Sequence, residues 1–231
     1  VFFNDWLDIL LFKKKPADIA ATTIGDGLKN LVIATVITGF LSGLLQYLSL
    51  PQILAASGIG AVPGAAELVQ AVSVVSIVTS TIMTPILAVI GVIIAGAILH
   101  VLCMIVGGKG NIANYIGVLA KISAAIAGTA TLILLVIGII MAAANMYMAG
   151  VMVIGLISMV VALWEIVLVV LATKAVQQLS TGRAIIAVIV IPFVIGIILA
   201  VLLAAVFLAL IMAAIGGAGG LGGMTGAFPL A

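Results

Sequence analysis

Long apolar runs interrupted by short polar loops set the pattern of this chain, and the clearest case lies between Val151 and Pro192. Val151 to Thr173 is apolar apart from one acid, Glu165; a polar loop bracketed by Lys174 and Arg183 follows, and Ala184 opens a second apolar run. Each run is long enough for a helical crossing of about 20 residues, so the pattern predicts a hairpin of two transmembrane helices. Glu165 falls deep inside its run, where an acid is tolerated only if protonated, paired or wetted; it must face the protein interior.

The same pattern predicts three earlier spans. Leu28 to Leu50 is the first, entered through Asp26 and Gly27 and closed by Pro51. It carries Gly39 and Gly43, a small-xxx-small spacing that lets helix backbones approach closely. A Gly/Pro/Ala loop, residues 52–66, leads to nearly forty mostly apolar residues. There Glu67, Gln70, Ser73, Ser76, Ser80 and Thr84 recur every three to four positions. That polar stripe predicts an amphipathic helix over 68–84, outside the bilayer core or at its edge, with a break at Pro85 and the second span over 86–106. The Gly107-Gly108-Lys109-Gly110 loop and residues 111–121 precede the third span, 122–144; the fourth covers 151–173. The fifth, 184–215, would measure about 48 Å and must tilt, kink at Pro192 or project beyond a hydrocarbon layer of about 30 Å. Residues 216–231 form a glycine-rich tail.

Ahead of the spans, residues 1–27 read as an interfacial segment. Phe2 to Phe12 places Asn4, Asp5 and Asp8 on one helix face and Phe2, Trp6, Ile9 and Leu10 largely on the other. Trp6 suits headgroup level, and Lys13, Lys14 and Lys15 follow where anionic lipid headgroups attract them. No cleavable signal is expected, since the opening residues are acidic and aromatic.

Composition turns this pattern into a class. With 66% hydrophobic and 6% charged residues and a mean hydropathy of +1.59, the chain is an all-α, polytopic membrane protein, a bundle of five transmembrane helices with an N-terminal interfacial helix. Net charge, +2, says little, but its distribution sets the topology. Under five spans every basic residue falls on one side: Lys13 to Lys15 and Lys29, then Lys109 and Lys121, then Lys174 and Arg183. The positive-inside bias places that side, with the N-terminus, in the cytoplasm and the C-terminus outside.

Candidate chemistry is sparse. His100 and Glu165 each lie nine residues before a flanking lysine, so they are expected at similar depth, as partners relieving each other's desolvation. The favoured reading is a hydrogen bond pinning span two to span four; the alternative is a proton relay or ion site. One histidine and one cysteine, Cys103, make no usual metal or haem site, so no cofactor is expected. The glycine loop lacks Walker spacing, and eight scattered basic residues form no nucleic-acid stripe. Neither an enzyme nor a nucleic-acid binder is expected.

The order of His100, the Gly107 to Gly110 loop, Tyr115, Trp164 and then Gln178-Leu-Ser180-Thr181-Gly182-Arg183-Ala184 resembles the Yip domain family of five-span membrane proteins named for interaction with Ypt/Rab GTPases. Leu179 to Pro192 is most similar to bacterial and archaeal versions, and the opening with Trp6 and Pro16 is similar too. The resemblance implies a non-enzymatic protein of vesicle traffic or membrane shape that self-associates. In eukaryotic members a cytoplasmic N-terminal region engages GTPases; the Asp-Leu-Tyr-Gly-Pro motif is missing here, so that activity is not expected to carry over. The expected function is therefore a homo-oligomeric membrane organiser. The competing readings are a small-solute or proton-coupled transporter using His100 and Glu165, and an accessory subunit docked on membrane-protein partners.

Overall fold

A computed structural model describes residues 2–11, 13, 18, 21–57, 64–144 and 146–219. They form α1 (Phe2–Leu10), α2 (Ile24–Ser57), α3 (Ala65–Ile105), α4 (Ile112–Ala143), α5 (Tyr147–Val176), the short α6 (Thr181–Ile185), a π-helical turn (Ile186–Val190) and α7 (Ile191–Gly219). Five stretches are long and apolar enough to cross a membrane: Ile24–Leu50, Val69–Ile105, Ile112–Met141, Met152–Val176 and Thr181–Ala213. The chain divides into two compact units, Val1–Val188 and Ile189–Ala231. In the second unit the described residues are helix α7; everything that follows about packing concerns the first.

Helix α4 is the centre of the first unit and packs against α1, α2, α3 and α5. Its residues Tyr115, Val118, Ala120, Ala124 and Ala125 have no exposed surface. Its start is fixed locally: the Asn111 side-chain oxygen accepts from the amides of Ala113 at 2.8 Å and Asn114 at 3.3 Å. That N-cap satisfies donors a helix start otherwise leaves open. Residues 112–121, expected as loop, are therefore helical, and Lys121 lies within α4. Helix α2 begins likewise, with Thr23 Oγ1 accepting from the Asp26 amide at 3.2 Å and donating to the Asp26 carboxylate at 2.8 Å. It also runs on beyond Pro51 to Ser57.

The largest departure from the expected pattern is α3. The polar stripe does not mark a separate interfacial helix over 68–84, because α3 continues unbroken for 41 residues with Pro85 inside it. The stripe's later hydroxyls instead lie in the seam against α2. Ser80 Oγ donates to the Gly39 carbonyl at 2.9 Å, and Ser76 Oγ donates to Gln46 Oε1 at 3.2 Å. A Cβ on Gly39 would lie 2.5 Å from the Ser80 carbonyl oxygen, and one on Gly43 would lie 2.8 Å from Ile77 Cα. Hydroxyls that face a neighbouring helix produce the same three-to-four periodicity as hydroxyls that face water.

Helix α1 also differs from expectation. Trp6 is buried against the protein: its ring fills the notch left by Gly128 on α4, where a Cβ would lie 2.5 Å from Trp6 Cζ3. Ile9 is fully buried beside it, and Trp164 Nε1 on α5 donates to the Leu10 carbonyl at 3.2 Å. An apolar helix face pairs with a protein groove as readily as with lipid, and the sequence of α1 alone does not choose. Lys13 is exposed; Lys14, Lys15 and Pro16 lie outside the described residues, as does the glycine tail from 220 onward.

Candidate functional site

The loop after α3 is shaped by its glycines. Gly107 takes φ +94°, and the amides of Gly107 and Gly108 donate to Met104 and Cys103 carbonyls at 3.0 and 2.8 Å, closing the helix as a Schellman motif. Helix α5 closes in a related way, with Gln178 at φ 54° and the Leu179 amide donating to the Lys174 carbonyl at 3.1 Å. These two turns bring the loops together. The Lys109 amide donates to the Gln177 carbonyl at 3.0 Å, and Gly110 packs on the Val176 carbonyl so closely that no side chain fits there.

Gln177, fully buried at the end of α5, is the hub. Its Oε1 accepts from the Gly110 amide at 3.1 Å, which leaves Nε2 to donate to His100 Nδ1 at 2.9 Å. With Nδ1 accepting, the ring proton of His100 sits on Nε2. One turn back along α5, Thr173 Oγ1 meets the Tyr115 hydroxyl at 2.7 Å, and the Tyr115 and His100 rings lie 6.4 Å apart between centroids. Residues that carry the resemblance thus converge on one node: His100, Gly107 to Gly110 and Tyr115, with Arg183 Nη1 standing 3.2 Å from where a Gly107 Cβ would be. Ser180 precedes α6 in extended conformation, Thr181 opens that helix, and Gly182 has open space around it.

His100 and Glu165 are not each other's partners. Glu165 Oε1 accepts from Ser123 Oγ at 3.4 Å on α4, while His100 belongs to the Gln177 node. The lysine spacing misleads because Lys109 lies in a loop past the end of α3, whereas Lys174 is still inside α5. Counted to their own helix ends, Ile105 and Val176, His100 is about 8 Å deep and Glu165 about 16 Å. Gln177 and Thr173 are the members of the node that neither spacing nor resemblance singles out, although, four apart at the end of an apolar run, they share one helix face.

Beside Glu165 lies a cleft of about 460 Å³ between α2, α3, α4 and α5, lined by aliphatic side chains and by Thr35, Ser123 and Glu165. Among the described residues no group of three or more His, Cys, Asp or Glu is placed to hold a metal ion.

Five stretches of crossing length, one of them the buried centre of the first unit, define an integral, multi-pass membrane protein. The Yip1 domain family model matches residues 16–203, most of the chain, and this protein belongs to that family. The matched range takes in the Gln177 node and Glu165 but not α1. No curated protein and no solved structure gives a match.

Proposed function

We propose that this Yip1-family protein is a non-enzymatic membrane organiser that self-associates and bends or thickens the bilayer around it. One observation carries the reading: the apolar length of α3. Its apolar stretch runs 37 residues, Val69–Ile105, about 55 Å along the axis. A hydrocarbon layer of about 30 Å accommodates only about 39 Å of helix even at a steep tilt of about 40°. Apolar side chains are exposed along that whole length, from Val72 and Val78 through Ile86 and Ile94 to Ile105. The excess must be met by a locally thicker membrane or by a second copy covering the flank.

The proposal predicts that the purified protein forms dimers or larger assemblies in thin, short-chain phosphatidylcholine bilayers and dissociates in thick, long-chain ones. Mass photometry of nanodiscs and electron microscopy of proteoliposomes read the two effects. Monomers at every thickness, with liposome shape unchanged, would refute it. We place the basic side in the cytoplasm, facing anionic headgroups. The contact between the Lys109 loop and the α5 end supports a shared side for Lys109, Lys174 and Arg183. Lys109→Cys in a Cys103→Ala background should then react with an impermeant thiol reagent only in opened cells.

A further inference from the structure

With Glu165 ionised, the cleft beside it accepts hydrogen bonds and donates none. Thr35 Oγ1 spends its proton on the Leu31 carbonyl at 2.6 Å, and Ser123 Oγ spends its own on Glu165 at 3.4 Å. What these two hydroxyls and the carboxylate still offer a visitor is lone pairs. A carboxylate has about four acceptor sites, and one long bond from Ser123 leaves most of them unfilled in an apolar wall. Around them Ala88, Gly91, Ala95 and Leu99 on α3 and Val169 on α5 give an aliphatic surface. At about 460 Å³ the space lies within the range of small-molecule sites, apolar with a few convergent polar groups.

We infer that this cleft binds an aliphatic amine, its ammonium head on Glu165, Ser123 and Thr35 and its alkyl chain along the α3 wall. The ammonium supplies three donors and a positive charge where the protein presents only acceptors and a negative one, and a buried charge is tolerated when it is paired and hydrogen-bonded. A fatty acid carries the wrong charge, and a simple alcohol offers one donor and no charge. This inference is independent of self-association, since every lining residue comes from a single chain.

The test uses the full chain in phosphatidylcholine nanodiscs with a diazirine-bearing decylamine, and with the matching alcohol and carboxylic acid. The amine probe is expected to label cleft residues such as Leu99 and Val169 saturably, with unlabelled decylamine competing. Glu165→Gln is expected to lower that labelling at least ~10-fold with the thermal transition retained. Gly91→Phe provides a second variant: nothing lies within 4 Å of a Cβ at this position, so the ring fills the cleft while the acid stays in place. It too should abolish labelling. Amine labelling that persists in either variant, or alcohol labelling as strong as that of the amine, overturns the assignment. Thermal transitions of both variants separate a lost site from a lost fold.

Discussion

His100 and Glu165 both sit in apolar helices of this protein, and the structure treats them in opposite ways. His100 joins a network in which Gln177 donates to its Nδ1 and accepts from the Gly110 amide, while Tyr115 lies beside its ring and is bonded to Thr173. Glu165 has a single long bond from Ser123 and a cleft in front of it. Buried polar groups that find their full set of partners rigidify a fold, because each unmade bond in a low-dielectric interior is expensive. A group left with unfilled acceptors beside open space does little for the fold and is free for a ligand. The node therefore ties three helices and two loops together, whereas Glu165 keeps acceptor sites open to the cleft.

The node is broken most severely at its tightest point. Gly110→Ala drives a methyl into the Val176 carbonyl and the Gln177 amide, neither of which can move without undocking the loop. Overpacking of about 1–3 kcal/mol adds to the loss of both Gln177 bonds, so a destabilisation of roughly 4 kcal/mol or failure to fold is expected. Unfolding in mixed dodecyl sulfate micelles measures it. Gln177→Leu keeps the packing and removes only the amide, orphaning the Gly110 amide and His100 Nδ1. At about 1–3 kcal/mol per orphaned group, a loss of about 2–5 kcal/mol is expected. An unchanged transition would mean that water replaces the amide and the node is not closed. Tyr115→Phe removes one hydroxyl from the buried Thr173 bond, and about 1 kcal/mol is expected to go with it.

Much of this architecture is legible in the residues alone. Five helices of crossing length and the family pattern both follow from runs and loops long enough to average over local detail. Span boundaries depart from the pattern where a local signal and the run disagree: Asn111 caps α4 ten residues ahead of its expected start, and Pro85 is absorbed within α3. Proline in a membrane-spanning helix is tolerated because surrounding groups compensate for the lost backbone bond. The polar stripe and the α1 face are legible as amphipathic, but not as to what they face, because water, lipid edge and a neighbouring helix impose the same period. The pairing of His100 with Glu165 fails for a comparable reason. A distance counted along sequence becomes a depth only when both reference points lie on the helix, and Lys109 does not.

Glu165→Gln sharpens the contrast most, because its expected effect on stability is the smallest and its sign the reverse of the others. If the carboxylate were a fold-pinning group like Gln177, neutralising it would weaken the protein by an amount comparable to Gln177→Leu. Glu165 has one bond at 3.4 Å and sits about 16 Å inside its helix end, so an ionised carboxylate there is held against desolvation with little in return. Glutamine keeps the shape, can still accept from Ser123 and removes the charge, so stability should stay within about 1 kcal/mol of the parent or rise. A loss near that of Gln177→Leu in the same micelle assay would show that Glu165 has structural partners of its own, and the distinction between a closed node and an open site would fail.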